Sequence, residues 1–534
     1  MLESRHADRF CEEQLPPAEL HPVMLLEGIG EYAARARINC VAELLDSAIA
    51  RGDGARPAIR FPGGMWTYTE LFERTNRIAR VLVEDYGIVP GNRVLLRGAN
   101  TPMFAACWLA IVKAGAVAVA TMPLLREREI QYVAEKAAVS LAITDTSVAE
   151  DCRRAVHVPV VEYGGADAEL ETRMEGKKAI FNARDTAATE IALIAFTSGS
   201  TGQGKGTMHS HRDVMAITEC FPRHVLRATR DDLFCGSPPL AFTYALGGLL
   251  LFPLRAGACT LLLEQASPPN LAKAIAEYRP TICFTAPTAY RAMHALLGEH
   301  DVSSLRRCVS AGETLPLSVF EAWRDATGVK IIDGIGATEM LHIFISSSDD
   351  DIRPGSTGRA VPGYEARIVD DDMQAVPDGE AGRLAVRGPT GCRYLGNLDQ
   401  QRTYVRDGWN LTGDSYVRDA DGYFWYQART DDIIVSSGYN IAGPEVENVL
   451  LEHEAVQECA VVGAPDAERG QVVKAFVVLR AGHSESEMLL KELQDFVKAR
   501  IAPYKYPRAV AVVPALPRTT TGKVQRFRLR EEES

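Results

Sequence analysis

Apolar and polar positions along residues 68–145 switch between two periods. Leu71 to Glu84 carries apolar residues at helical spacing, Arg93 to Arg97 is strand-like, and Pro102 to Ala114 is helical again. Ala116 to Thr121 and Leu141 to Thr144 are short β-type runs around a helix predicted over Glu127 to Ala138. Alternation of this kind builds α/β units on a mainly parallel sheet. The texture returns at 191–196, 258–264 and 281–286, so the large N-terminal part reads as doubly wound. Phe104 to Leu125 is the one stretch that suggests a membrane span. Lys113 and Gly115 interrupt it, and it reads instead as a helix, a glycine stop and a buried strand.

The pattern changes twice further on. Residues 354–430 are rich in Gly, Pro and Asp, with short β runs at Glu365 to Val369, Arg383 to Val386 and Tyr423 to Tyr426, which suggests an antiparallel, barrel-like subdomain. From Asp431 a compact α+β unit follows. Strands are predicted at Ile433 to Val435, Cys459 to Val462 and Ala475 to Leu479, and helices at Pro444 to Glu452 and Ser484 to Ala502. The expected organisation is an α/β protein with a large domain over 1–430 and a small α+β domain over 431–534.

Composition narrows the function. The 534 residues are 46% hydrophobic and 24% charged, enough for more than one core. A formal net charge of −12 argues against a nucleic-acid surface, whose footprint is basic. Eleven cysteines occur without a C-x-x-C pair or a histidine in metal spacing, which fits reduced thiols in a cytoplasmic protein. The charged segment Met1 to Glu13 lacks the apolar core of a signal peptide. Neither nucleic acid nor membrane is expected as a partner, and a homodimer is left open.

The candidate chemistry begins after the apolar run Ile191 to Phe196. Thr197, Ser198, Gly199, Ser200, Thr201, Gly202, Gln203, Gly204 and Lys205 gather hydroxyls, glycines and an ammonium with little bulk between them. Glycine lets backbone N–H groups approach a polyphosphate closely. Gly199, Gly204 and Lys205 satisfy most of the Walker A spacing, but Gly206 stands where that motif needs Ser or Thr. This is a nucleotide loop of another kind.

Four further blocks carry a family resemblance: Asp333-Gly334-Ile335-Gly336-Ala337-Thr338-Glu339, Gly408-Trp409-Asn410-Leu411-Thr412-Gly413-Asp414, Arg429 to Asp432 with Ser437 to Ile441 and Glu445 to Glu447, and Leu516 to Lys523. In order and separation they resemble the superfamily of acyl-CoA synthetases, adenylation domains and luciferases. Thr338 to Phe344 and Ala241 to Gly247 resemble the acyl-pocket segments of its benzoate-CoA and 2-aminobenzoate-CoA ligase branch. The resemblance implies a two-step reaction in which ATP activates a carboxylate as an acyl-adenylate and a thiol then attacks its carbonyl.

It also implies roles. Thr197 to Thr201 and Lys205 would hold the β- and γ-phosphates, Thr338 the α-phosphate, and Glu339 a Mg²⁺ ion, as a hard oxygen ligand suits. Asp414 and Arg429 would bind the ribose. Ser310 to Glu313, with Gly312 and Glu313 foremost, would form the adenine shelf beside Asp333 and Gly334. Lys523 would stabilise charge as the carboxylate attacks phosphorus. Asp431 matches the hinge on which the small domain would rotate, bringing Gly438 and Tyr439 to line a tunnel for the coenzyme A thiol.

Thr243, Tyr244, Gly336, His342 and Ile343 would frame the acyl pocket. Thr243 lacks the carboxylate that pairs with the ammonium in amino-acid-activating relatives. His342 reads either as a hydrogen-bonding group for the substrate or as a core histidine, and His209 and His211 read as capping or surface residues. Departures from the family pattern are Gly204 for Pro, Gly334 for an aromatic residue, Ala428 for Gly and Arg383 for Glu. The reading is an aryl-acid CoA ligase. The alternatives are a stand-alone adenylation enzyme that loads a carrier protein, and a CoA ligase for an alicyclic or short-chain acid.

Overall fold

A computed structural model describes residues 5–165, 168–197, 204–429, 432–436, 439–466, 469–501, 503–519 and 522–531. Four sheets organise them. The first has six strands in the spatial order 160–163, 141–145, 93–97, 117–121, 191–196 and 206–210. The first five run parallel, and Gly206–Ser210 returns antiparallel to Ile191–Phe196. The second has nine strands, with a parallel centre ordered 331–336, 307–310, 282–285, 233–236, 259–261 and 57–61. Antiparallel strands close both of its edges: 64–67 at one end, 343–346 and 359–360 at the other.

The apolar stretch that resembled a membrane span is the helix Pro102–Lys113, buried at every position but Met103, and the strand Val117–Thr121. A helix that is hydrophobic all round belongs in a core. Its last residue, Lys113, is fully buried and donates to Asp46 Oδ1 at 2.6 Å and Asn76 Oδ1 at 2.7 Å. Among the described residues no helix is long and apolar enough to cross a membrane.

Residues 365–429 form a five-stranded antiparallel sheet in which Trp409–Arg418 pairs Ala381–Arg387 on one side and Phe424–Arg429 on the other. The small C-terminal domain has a sheet of its own, ordered 439–441, 434–436, 470–479 and 456–466, with 509–512 parallel to 470–479. Its hairpin is longer than the apolar runs predict. Pairing continues from Val456↔Leu479 to Asp466↔Gly470 through polar positions, because ladder hydrogen bonds are indifferent to side-chain polarity. All eleven cysteines are unpaired; nine are buried and Cys259 and Cys459 are half-buried.

Candidate active site

Strand Ile191–Phe196 delivers the Gly-rich loop at the C-terminal end of the parallel strands, where such sheets bind ligands. Ser198, Gly199, Ser200, Thr201 and Gly202 lie outside the described residues. Two hydrogen bonds close the base of the loop. Thr197 N donates to Lys205 O at 2.9 Å, and Lys205 N donates to Thr197 Oγ1 at 3.2 Å. A Cβ on Gly204 would stand 2.7 Å from Thr197 O, so this conformation requires glycine. Tyr132 donates its hydroxyl to Gly204 O at 2.9 Å and sets its ring edge-on to Phe196.

Thr338 and Glu339 sit on a 3₁₀ turn, Thr338–Met340, directly after strand Ile331–Gly336. Two side chains hold that turn. His209 contacts Thr338 O through Nε2 at 2.8 Å, and Tyr394 donates its hydroxyl to Glu339 Oε1 at 2.6 Å. Burial pushes the His209 pKa down to about 4, so the ring is neutral and Nε2–H is the donor to that carbonyl. Tyr394 is fixed by its own backbone: Tyr394 N donates to the buried Gln401 Oε1, and its neighbours Arg393 and Leu395 bond to Met208 and Gly206. The Tyr394 ring lies 6.0 Å below the Lys205 ammonium.

The expectation for His209 and His211 is corrected here. Both are fully buried, and the helix cap beside them is Ser210, in a capping box with Asp213. His211 accepts from Cys40 N at 3.3 Å, and burial pushes its pKa down to about 3. The strand Gly206–Ser210 is buried on both faces, which leaves no polar–apolar alternation to reveal it.

Strand pairing also brings Asp414 opposite Arg429. Arg429 donates from Nη1 to Thr412 O at 3.0 Å and to Asp414 Oδ1 at 3.2 Å, passing over Gly413, where a Cβ would stand 2.7 Å from Nη2. Burial raises the Asp414 pKa, and Arg429 opposes that shift. Asp333 is pushed up to about 7 by burial, and its Oδ1 is buried without a hydrogen-bond partner. Gly312 adopts φ +91°, and a Cβ on it would stand 4.0 Å from Lys523 Cε.

Lys523 thus enters the same cleft. Its loop is closed by Thr519 N donating to Lys523 O at 2.7 Å and Lys523 N donating to Thr519 Oγ1 at 3.1 Å. The residue is open to cleft solvent, yet protein crowds it enough that desolvation lowers its pKa. Asp414, Glu313 and Glu339 pull the other way. Glu313 is itself raised by burial, against Arg518 and Lys523. Asp431 and Gly438 lie outside the described residues, and Tyr439 pairs with Ser436 through its backbone.

The acyl-pocket residues converge as well. Strand pairing sets Gly336 opposite Ile343, and a Cβ on Gly334 would press within 2.9 Å of Ile343, which is why no aromatic residue fits at 334. Thr243 is buried. Tyr244 donates its hydroxyl to Val309 O at 3.1 Å and Thr285 O at 3.3 Å. Its ring lies 5.6 Å from Phe284 and 5.8 Å from His342, and His342 is edge-on to Phe252 at 4.6 Å. Burial pushes His342 down to about 3, so Nε2–H donates to Tyr244 O at 3.2 Å and Nδ1 is a buried acceptor without a partner.

A Gly-rich loop, a carboxylate-bearing turn and a lysine delivered by the small domain meet in one cleft, and the family and relatives that the chain matches make it an AMP-forming acid–thiol ligase. The chain belongs to the AMP-binding enzyme family: residues 47–394 match its main model and residues 445–523 the model of its C-terminal domain. It is 35% identical to benzoate–CoA ligase of Thauera aromatica over 505 residues, covering 92% of this chain and 96% of that one. It is 32% identical to 3-hydroxybenzoate–CoA ligase of Aromatoleum sp. (strain CIB), covering 92% and 97%. An anthranilate CoA ligase solved in complex with anthranoyl-AMP superposes with a TM-score of 0.89 at 34% identity, over 94% of this chain and 98% of that one.

Proposed function

We propose that the protein is an aryl-acid CoA ligase of the benzoate or 2-aminobenzoate type. The carboxylate oxygen attacks the α-phosphorus of ATP and pyrophosphate leaves. The sulfur of coenzyme A then attacks the acyl carbonyl and AMP leaves. The observation that carries the aryl reading is the uncharged aromatic cluster around Tyr244 and His342. Tyr244 has spent its hydroxyl on two carbonyls, His342 is neutral, and no ionised side chain among Thr243, Tyr244, His342 and Ile343 would pair with an ammonium or a second carboxylate. The unpartnered His342 Nδ1 favours a ring bearing an amino or hydroxyl donor.

In this reading Lys205, Thr197 and the loop residues Ser198 to Gly202 hold the departing pyrophosphate. Thr338 orients the α-phosphate, Asp414 and Arg429 the ribose, and Asp333, Gly334, Gly312 and Glu313 the adenine. Lys523 supplies positive charge where it builds on the transferring phosphorus. Glu339, with Oε1 taken by Tyr394, offers its other oxygen to a magnesium ion. Among the described residues no cluster of three or more His, Cys, Asp or Glu would hold a metal by itself. One carboxylate completed by phosphate oxygens suits magnesium, which when bound would neutralise charge on the phosphates. We place the division of the chain near residue 430, with Asp431 as hinge and Gly438 and Tyr439 on the thiol path.

The test is carboxylate-dependent AMP formation with coenzyme A across benzoate, 2-aminobenzoate, hydroxybenzoates, cyclohexanecarboxylate, short fatty acids and amino acids. Turnover with thioester product on the benzoates is the expected result. Adenylate without thioester points to a carrier-protein thiol, and turnover only on non-aromatic acids overturns the aryl reading.

A further inference from the structure

The loop that carries Lys523 is held in the cleft by an arginine within the same loop. Arg518 donates from Nη1 to Gly522 O at 2.5 Å, directly beside Lys523, and from Nη2 to Glu458 Oε2 at 2.8 Å on the strand Val456–Asp466. The same guanidinium reaches Glu313 Oε1, on the large domain, at 3.7 Å. All three side chains are largely buried, with Arg518 28%, Glu313 20% and Glu458 29% exposed. A planar guanidinium presents five donors in a fixed fork and so holds three such acceptors in one geometry, where a lysine offers a point charge on a flexible stem. A second arginine works in the opposite sense: Arg291, on the large-domain helix Pro287–His294, donates to Gln457 O of the small domain at 2.8 Å. The two contacts land on adjacent residues of one strand, Gln457 and Glu458.

We propose that Arg518, seconded by Arg291, is a positioning residue for adenylate formation: it ties the Lys523 loop and the small domain to Glu313, and so keeps the Lys523 ammonium in the cleft. These contacts of Arg518 are all with protein groups: Gly522 O, Glu458 and Glu313. Its effect falls on the half-reaction that needs Lys523 in place, and thioester formation, in which Lys523 takes no part, is spared. The inference rests on the proposed two-step ligase reaction for its kinetic consequence, and on geometry alone for the domain contact.

Two measurements on full-length Arg518→Ala and Arg291→Ala test it. The first needs no substrate: spin labels on Leu317→Cys, in the large domain, and Met488→Cys, in the small domain, report the inter-domain distance. Both positions are exposed, Met488 at 80%. Arg518→Ala is expected to broaden that distribution, and Arg291→Ala to do so less. The second compares half-reactions. Acid-dependent pyrophosphate exchange should fall about ten-fold in Arg518→Ala and about three-fold in Arg291→Ala, the range of a partly buried charge contact. Conversion of synthetic aroyl-adenylate to thioester should stay within about two-fold. Unchanged distances, or equal losses in both half-reactions, overturn the proposal. If the wild-type protein adenylates no acid, the ligase reading fails and the distance measurement alone decides the domain contact.

Discussion

Two residues of the candidate site, Lys523 and Asp333, have pKa values displaced by desolvation. Desolvation lowers the Lys523 pKa, and the role proposed for it needs the charged form. Adenylation should therefore decline on the alkaline side below the ordinary lysine range. Lys523→Arg, which stays charged, should remove that decline while lowering the plateau, and Lys523→Ala should reduce pyrophosphate exchange by about 10²–10³-fold. Asp333 is shifted the opposite way for the same cause, up to about 7. The folded protein binds a proton at Asp333 that the unfolded chain has already released, so stability falls as pH rises from about 4 to 7. Asp333→Asn should remove that dependence, and its gain in Tm over wild type should be larger at pH 8 than at pH 5.

At the scale of elements, the hairpin 331–336/343–346 and the base of the Gly-rich loop decide the geometry. A Cβ on Gly336 would stand 2.8 Å from His342 O, against backbone that cannot move aside. Gly336→Ala should cost about 1–3 kcal/mol in denaturant unfolding and raise KM for the acid. Tyr132 supplies to Gly204 a restraint from outside the loop. Tyr132→Phe, which keeps the ring on Phe196 and loses the hydrogen bond, should raise KM for ATP about three- to ten-fold with little change in kcat.

Much of this level was legible in advance. The strands 93–97 and 191–196 follow from their apolar runs, and the loop, the turn and the Lys523 segment follow from local motifs. The partners Tyr394 and His209 were not, because each meets its site through a contact between residues distant in sequence, and Gln401 reaches the site only through Tyr394. Tyr394 is 55 positions from Glu339, and His209 is 129 from Thr338. A buried tyrosine in sequence looks the same whether its hydroxyl ends on a carboxylate or a carbonyl. A capping or surface role does not hold for His209 because its strand is buried on both faces.

For the whole molecule, the central helix Pro102–Lys113 is the keystone of the largest core, and its one charge is a cross-link. Lys113 joins Asp46, on the turn Ala42–Asp46, and Asn76, on the helix Tyr68–Arg80. Lys113→Met would fill the space yet strand Asp46, so it should destabilise the large domain by about 3–5 kcal/mol, measured by chemical denaturation. The double variant with Asp46→Asn should recover part of that loss.

The distribution of the cysteines has a chemical consequence for an enzyme of this kind. An acyl-adenylate acylates any thiolate it meets, and the chain carries eleven thiols of its own. Burial pushes even the half-buried Cys259, and Cys152 with it, up to about 11, and no cysteine is exposed. At neutral pH the protein therefore offers its own mixed anhydride almost no competing nucleophile, and the activated acid is reserved for the incoming pantetheine. The native enzyme should likewise be nearly silent to Ellman's reagent, so that consumption of the free thiol can be followed continuously in its presence without a background from the catalyst.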